Sequence, residues 1–445
     1  MRGVGTAPEL RRYVEMSGAG SNGFNRRKFL AVGGGLAAMA VAGCGSNTGR
    51  ESDGGSGSSG GKPALAQWYH QYGEAGTQQA VEKYAKEYPD ATVTVQWSPG
   101  DYDKKTASAL LTDGGPDIFE YGNGPSIDMI KGGQVVDLTD LLGDTKADFT
   151  PSLIARNTYQ GKLYAVPQVT DMQLLVYRKS LLSAAGVQPP TTVDELIAAA
   201  KKLTTDKVKG LFVGNDGGVG ILGGPALWSA GVDYLTEDNA FGFDDPAAVE
   251  SLRKLRELFT SKALLLGAPT DWSDPSAFTQ GLTAMQFTGL WTFPQIQKAF
   301  PDDFGVLPWP KLDSSTGAPS VTVGAYGSAV SAKSKNVDAA KKFVKWLWVD
   351  QTDKQLDWAQ SYGFHIPARK SLAEKAEKLK SGPAADAVRF VNENGHAQTP
   401  LLWTPKSGTA YSDALNRIIK NGTDPATEIK AVKAIVEAEL KRVAG

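Results

Sequence analysis

The sequence predicts an α/β protein built as two lobes, and three observations support this fold class. From residue 64 onward, short apolar runs with strand spacing alternate with segments whose apolar residues recur at helical spacing. A second and more interrupted series of the same kind begins near residue 191. The chain has 445 residues, so even without the N-terminal leader described below it can form two domains of ordinary size. Two α/β lobes therefore fit the pattern better than one continuous sheet.

The first series has the order strand, helix, strand, helix, strand. The strands are predicted at residues 64–70, 91–98 and 116–122, and the helices at residues 77–89 and 102–114. This order implies right-handed crossovers and a parallel sheet that is covered by helices. Ligands bind such sheets at the carboxyl ends of the strands. The residues next to these strand ends are His70, Gln71, Tyr72, Tyr121 and Asn123.

The second series contains longer helices. We predict helices at residues 191–203, 246–264, 337–349 and near 425–443, and strands at residues 208–216 and 282–291. Thr192 and Glu195 have the spacing of a capping box, which marks a helix start.

The N-terminal segment has the features of an export signal. Arg26, Arg27 and Lys28 precede a weakly apolar run over residues 29–42, which ends in small residues. A helix that spans a bilayer needs about 20 apolar residues, so this run is too short for a permanent membrane helix. The arginine pair followed by Phe29 favours the twin-arginine type of signal, with general secretory export as the alternative. Either Met1 or Met16 can be the start.

Cys44 is the only cysteine in the chain and directly follows this run. Residues 41–44 read Val-Ala-Gly-Cys, which resembles the lipobox of bacterial lipoproteins. The resemblance implies cleavage after residue 43, so that residues 1–43 are a signal peptide and Cys44 carries lipid. Residues 44–63 are rich in glycine and serine and are expected to form a flexible tether. These features predict a protein anchored by lipid to the extracellular face of the cell membrane.

Composition excludes several kinds of function. The formal net charge of the chain is −1, and the leader holds more basic than acidic residues, so the mature body has no basic excess that suggests nucleic acid. A single cysteine allows neither a disulfide nor a cysteine-based metal site. The three histidines are scattered without zinc spacing, and the chain lacks nucleotide-binding and nucleophile-elbow motifs. We expect no metal, no cofactor and no nucleic-acid partner.

Six segments of the body resemble, in the same order, those of the bacterial extracellular solute-binding proteins called family 1, the substrate-binding lipoproteins of carbohydrate ABC importers. They include GGPDIFEYG at residues 114–122, AMQFTGLW at 284–291 and YGFHIPARKSL at 362–372. The others lie at residues 161–196, 307–311 and 321–347. Each motif is moderately specific, and their order over most of the body carries the resemblance.

The resemblance implies a two-lobed periplasmic-binding-protein-like fold of type II. Each lobe is then a mixed sheet flanked by helices, and the chain crosses between the lobes more than once through a hinge. Matched to this sequence, lobe 1 takes residues 64–169 and 322–350, and lobe 2 takes residues 170–321 and 351–445. It also implies a monomeric binding protein without enzymatic activity, which holds a sugar in the cleft, closes around it and delivers it to permease subunits.

A sugar site requires flat rings for the CH faces of the sugar and amide or carboxylate groups for its hydroxyl edges. Trp291 is the first candidate for stacking because it matches the Gly-x-Trp turn of the family. Tyr121 matches the aromatic residue that ends the Pro-Asp strand, and Asp171 matches an acidic position at the first crossover. The further candidates are His70, Asn123, Trp228, Tyr326 and Trp403. For each ring the alternative is a buried structural role, and for Asp171 it is a solvated turn.

Two other classes of function remain open at this point. A secreted glycan-active enzyme would also be rich in surface aromatic residues, and it would depend on a pair of carboxylates. A binding protein of this fold could instead hold a polyamine, a peptide or a metal chelate. A polyamine site would need several clustered carboxylates among its rings, and a ferric site would need paired tyrosines with a histidine.

Overall fold

The computed structural model describes residues 61–324 and 326–444, which form an α/β body. The export signal, Cys44 and the tether up to residue 60 lie outside the described residues. The strands are β1 (Ala64–His70), β2 (Thr92–Ser98), β3 (Ile118–Gly122), β4 (Thr158–Tyr159), β5 (Lys162–Leu163), β6 (Val166–Pro167), β7 (Val169–Arg178), β8 (Lys209–Phe212), β9 (Thr283–Gly289), β10 (Phe304–Leu307), β11 (Val321–Gly324), β12 (Tyr326–Val330), β13 (Ile366–Pro367) and β14 (Gly395–Ala397).

The helices cover the faces of the sheets. They are α1 (Thr77–Glu87), α2 (Tyr102–Ala109), α3 (Ile127–Lys131), α4 (Thr139–Leu142), α5 (Pro151–Arg156), α6 (Lys179–Ala184), α7 (Val193–Leu203), α8 (Gly223–Ser229), α9 (Pro246–Thr260), α10 (Ser276–Thr279), α11 (Phe293–Ala299), α12 (Val337–Lys345), α13 (Thr352–Ser361), α14 (Lys370–Ala373), α15 (Gly382–Asn394), α16 (Pro405–Asn416) and α17 (Pro425–Ala444). Among the described helices, none combines the length and the apolar character that a membrane crossing needs.

The first sheet has the strand order β2-β1-β3-β12-β6. Strand β1 runs parallel to both β2 and β3, with Ala64 opposite Thr92 and Gln67 opposite Ile118. The predicted β-α-β-α-β unit with its parallel sheet is therefore confirmed. Strand β12 returns from the second half of the chain and pairs antiparallel with β3 and β6, which makes the sheet mixed.

The second sheet is organised around β7, the longest strand. Its order is β14-β11-β7-β9-β8, and β10 and β13 also pair with β7. Alternate residues of β7 point to two different cores. Met172 and Leu174 pack with Phe293 and its neighbours, whereas Leu175 packs with Leu196 and its neighbours. Because both faces are covered, β7 is apolar along most of its length.

The chain passes between the two sheets through very short links. Gln168 alone separates β6 from β7, and one residue separates β11 from β12. The two links lie side by side, since Pro167 is opposite Gly327 in the first sheet and Asp171 is opposite Gly324 in the second. The chain thus passes from one sheet to the other within a few residues of the two expected lobe boundaries, between residues 169 and 170 and between residues 321 and 322.

The segment after residue 350 packs differently from its expected place in lobe 2. Trp358 and Ala359 of α13 are buried in the core of the first sheet, together with Tyr69 and Trp348. The chain therefore stays with the first sheet through α13, and the lobe boundaries themselves stay a prediction.

Several predicted elements end earlier than their sequence patterns suggest. Helix α2 ends at Ala109 rather than at residue 114, and the Thr112 hydroxyl donates to the Ala109 carbonyl at 2.9 Å. Strand β8 ends at Phe212 because Gly214 turns the chain with φ of 95°. The regular part of α12 ends at Lys345, and the chain continues as a wider π turn over Trp346–Asp350.

Candidate binding cleft

A large cavity lies where the carboxyl ends of β1 and β3 meet β7 and the loops around β9. We call it the main cavity, and it has a volume of about 540 Å³. Five of the residues predicted from the sequence line it: His70, Asn123, Asp171, Trp291 and Tyr326. The position agrees with the rule that ligands approach α/β sheets at the carboxyl ends of the strands.

A second cavity of about 350 Å³ adjoins the main cavity. The two share the lining residues Gly122, Gln173, Trp272 and Gln398. The remaining predicted residues, Tyr121, Trp228 and Trp403, line this adjoining cavity. All eight predicted residues therefore lie on one of two adjoining cavities, and their contact with a ligand stays a prediction.

Trp291 forms one wall of the main cavity with Trp272. The Trp291 indole N–H donates to the Ser273 carbonyl at 2.9 Å, which orients the ring. The Trp272 ring meets it nearly edge-on, with 5.9 Å between centroids and 69° between planes. Gly289 makes this arrangement possible, because a Cβ at that position would lie 1.8 Å from the Trp291 ring. The Gly-x-Trp pattern thus has a steric reason here.

His70 and Tyr326 form a second aromatic pair in the main cavity. Their rings stack nearly parallel, with 4.1 Å between centroids and 12° between planes. Behind them the buried Glu120 accepts from the His70 backbone N–H at 2.8 Å and also binds the imidazole Nδ1. Its other oxygen accepts from the Tyr72 hydroxyl at 2.7 Å. The buried carboxylate therefore holds the end of β1 and orients the stacked pair.

Asp171 is already paired with another residue of the protein. His365, which is 3 % exposed, binds Asp171 through Nδ1 and lies 3.0 Å from Glu74 through Nε2. Burial alone would lower the pKa of His365, but Asp171 and Glu74 outweigh burial and raise it from 6.5 to about 10. His365 is therefore a cation at neutral pH, and it joins the loop after β1 to strand β7. The sequence predicted that Asp171 accepts hydrogen bonds from hydroxyl groups of a ligand. The ion pair between Asp171 and His365 was not predicted.

The loop after β3 brings Asn123 to the cavity. Asn123 and Gly124 both have positive φ, 61° and 78°, which is a conformation that asparagine and glycine tolerate best. The Asn123 amide donates to the Gln398 side chain at 3.1 Å. Since Gln398 follows β14, this hydrogen bond connects the first sheet to the second across the cavity.

The two tryptophans of the adjoining cavity are largely buried. Trp228 is 2 % exposed, donates to Asp233 at 3.0 Å and stacks against His396 at 4.9 Å. Trp403 is 8 % exposed and packs against Tyr234 with 4.8 Å between centroids. Both rings contribute edges to the cavity wall while most of their surface stabilises the core.

Several lining residues were not singled out from the sequence. They are Trp272, Glu74, Asp103, Arg156, His365 and Gln398. Trp272 had a usable signal, because an aromatic residue lies there within the turn-rich run DWSDP at residues 271–275. His365 lies in the family segment at residues 362–372, but no local pattern marks it or the remaining residues as part of the cavity.

Comparison with known proteins agrees with this architecture. The family model described as "Bacterial extracellular solute-binding protein" matches residues 68–351. The chain belongs to this family. Its similar relatives include the diacetylchitobiose binding protein DasA of Streptomyces coelicolor, which is 30% identical over 362 residues, covering 74% of this chain and 78% of that protein. The galactooligosaccharide-binding protein of Bacillus subtilis is 23% identical over 398 residues, covering 85% and 89%.

Solved structures of solute-binding proteins share the fold. The GacH receptor of Streptomyces glaucescens, studied unliganded and in complex with acarbose, aligns with a TM-score of 0.71 at 26% identity. That alignment covers 85% of this chain and 99% of the receptor. An ABC transporter solute-binding protein of Thermotoga lettingae, bound to α-D-tagatose, aligns with a TM-score of 0.73 at 22% identity, covering 85% and 100%.

These matches confirm two predictions made from the sequence. The two-lobed periplasmic-binding-protein-like fold is shared with the aligned structures. The functional class is also confirmed, because the family consists of extracellular proteins that bind solutes rather than enzymes.

Proposed function

We propose that this solute-binding protein captures a sugar or oligosaccharide between its two sheets and delivers it to the permease of an ABC importer. The observation that carries the proposal is the lining of the main cavity. Two aromatic pairs, Trp272 with Trp291 and His70 with Tyr326, offer ring surface for sugar CH faces. Amide side chains such as Asn123 and Gln398 supply hydrogen bonds for hydroxyl groups.

The adjoining cavity favours a ligand longer than one sugar ring. It continues from the main cavity through Gln173 and Gln398, and it adds aromatic edges from Tyr121 and Trp403. The relatives named for diacetylchitobiose and galactooligosaccharide, and the receptor solved with acarbose, support the same class of ligand.

A thermal-shift screen tests the class of ligand. Residues 45–445 would be heated with monosaccharides, oligosaccharides, spermidine and short peptides. A ligand that binds only the folded state raises the melting temperature, and we expect the shift from an oligosaccharide. A shift from spermidine or a peptide, with none from any carbohydrate, would contradict the proposal.

The Trp291→Ala variant tests the site itself. Loss of the stacking ring should weaken binding of the identified sugar by about tenfold or more, because an aromatic contact and its buried area are removed together. Isothermal titration calorimetry measures the change. Trp346→Ala is the matched control, since Trp346 lies on the π turn away from both cavities. Unchanged affinity in Trp291→Ala would remove Trp291 from the ligand contacts.

We propose further that the protein is exported and held at the membrane by lipid. In this proposal residues 1–43 are the export signal, of the twin-arginine type, Cys44 carries the lipid, and residues 44–63 form the tether. The lipobox resemblance and the extracellular family support it. The body is expected to work as a monomer beside its permease.

A further inference from the structure

The main cavity has an excess of negative charge. No lysine or arginine of the described chain lines it. Four carboxylates do, and they belong to Glu74, Asp103, Asp171 and Asp274. The buried Glu120 lies directly behind His70 and binds the imidazole Nδ1 of that residue. A partly enclosed space with several uncompensated anions is electrostatically unfavourable until a cation enters it.

The protein compensates only part of this charge. His365 lies between Glu74 and Asp171 and neutralises one of the two. Asp274 forms no ion pair within the described residues, and its Oδ1 accepts from the Ser276 backbone N–H at 2.7 Å. The cavity therefore keeps a net negative charge at neutral pH.

Asp103 forms no ion pair with a lysine or arginine of the described chain. Its Oδ1 is buried without a hydrogen-bond partner among the described residues. Burial, with a contribution from Glu120 and against the opposing effect of His70, raises the pKa of Asp103 from 3.8 to about 6. Gly122 leaves the room that this carboxylate occupies, since a Cβ there would lie 3.0 Å from Asp103 Oδ2.

The adjoining cavity differs in charge. Arg156 lines it, and within the described residues its guanidinium donates only to the backbone carbonyls of Thr399 at 3.0 Å and Pro125 at 3.4 Å. A cationic group of a ligand is thus attracted to the main cavity and repelled from the region around Arg156. A ligand with one cationic end is therefore oriented with that end in the main cavity and its other end in the adjoining cavity.

From this distribution we propose that the ligand is an amino sugar whose free ammonium group lies in the main cavity, near Asp103 and Asp274. The inference rests on the proposed function and adds the charge of the sugar to it. A neutral sugar can donate hydroxyl groups to these carboxylates but leaves their charge uncompensated. An ammonium group compensates it, and it also binds favourably against the rings of Trp272 and Trp291.

The test compares three disaccharides with the same rings and linkage and different substituents at carbon 2. Chitobiose carries amines, N,N′-diacetylchitobiose carries acetamides and cellobiose carries hydroxyls. We expect chitobiose to bind at least about tenfold more tightly than either neutral disaccharide at neutral pH. The preference should shrink at high ionic strength because salt screens the attraction.

Two variants locate the charge. Asp103→Asn keeps the shape and removes the charge, and it should reduce the preference for chitobiose over the neutral disaccharides by about tenfold. Asp274→Asn should also reduce the preference for chitobiose, and it provides the test if Asp103→Asn fails to fold. Asp113→Asn is the control, since the Asp113 side chain is 95% exposed and lies outside the cavities.

The outcomes separate the two proposals. Neutral disaccharides that bind as tightly as chitobiose, or an uncharged oligosaccharide that binds while chitobiose does not, would overturn the charge inference and leave the sugar-binding function intact. An unchanged preference in both aspartate variants would also overturn it. Binding of spermidine without binding of any saccharide would overturn the proposed function as well.

Discussion

At the scale of single residues, the cleft depends on contacts that join distant parts of the chain. Glu120 holds His70 and Tyr72 in place. His365 binds Asp171, which is 194 positions away in the sequence, and Glu74, which is 291 positions away. Both centres are charged and buried, so each depends on its partners for compensation. Sequence reasoning found His70 and Asp171 from strand ends and family motifs, and it could not find the partners that hold them.

The raised pKa of His365 predicts a loss of stability at alkaline pH. The folded protein binds this proton more tightly than the unfolded chain does, so the stabilisation is complete below about pH 6.5 and is lost as pH rises through about 10. His365→Gln should lower the free energy of unfolding by about 3 kcal/mol or more at neutral pH, because Asp171 and Glu74 lose their cation. Denaturant unfolding measured at a series of pH values shows both effects.

The free energy of unfolding of His365→Gln should also fall less steeply at alkaline pH than that of the unaltered protein. His396→Gln is the matched control, because His396 lies against Trp228 and its pKa is lowered rather than raised. Equal alkaline slopes for His365→Gln and the unaltered protein would show that His365 does not hold the extra proton.

At the scale of elements, the start of α7 was predicted in detail. Thr192 Oγ1 accepts from the Glu195 backbone N–H at 3.2 Å, and the Glu195 carboxylate accepts from the Thr192 N–H at 3.3 Å. This capping box confirms the prediction. The ends of α2 and β8 were less predictable, because both elements end before the apolar pattern does.

The capping box predicts a measurable coupling between two residues. Thr192→Ala should reduce the free energy of unfolding by about 1 kcal/mol, because an N-terminal N–H of α7 loses its acceptor. Glu195→Ala should reduce it by a similar amount. The double variant should lose less free energy of unfolding than the sum of the two single losses, since each single variant already breaks the same reciprocal pair. Strict additivity in denaturant unfolding would contradict a cooperative cap.

At the scale of the whole molecule, two sheets share short crossovers beside one cleft. One strand-to-strand link is at Gln168 and the other follows Gly324, and the strands on either side of them pair next to each other. Family order in the sequence was enough to expect these crossings. The packing of α13 onto the first sheet was not expected, because an amphipathic helix pattern does not specify which core it covers.

The proposed lipid anchor predicts where the whole molecule is found. Cys44→Ser should release the protein from cells or leave it as an unprocessed precursor, and fractionation with immunoblotting measures this. Ligand affinity of the purified body should stay unchanged, because residue 44 precedes the fold that begins at β1. Ser46→Ala is the neighbouring control and should stay membrane-bound. A Cys44→Ser variant held at the membrane in the usual amount would contradict the anchor.

By itself the sequence determined the α/β class, the parallel first unit, the cap of α7, the family and eight residues that lie on the two cavities. The elements follow from local periodicity and turn chemistry, which act over short stretches of chain, and the family follows from the order of motifs along most of the body. The tertiary structure decided the pairing of Asp171 with His365, the Trp272 wall and the net charge of the main cavity. Those properties depend on groups far apart in sequence, because burial and the distance between charges are set only when the sheets pack together.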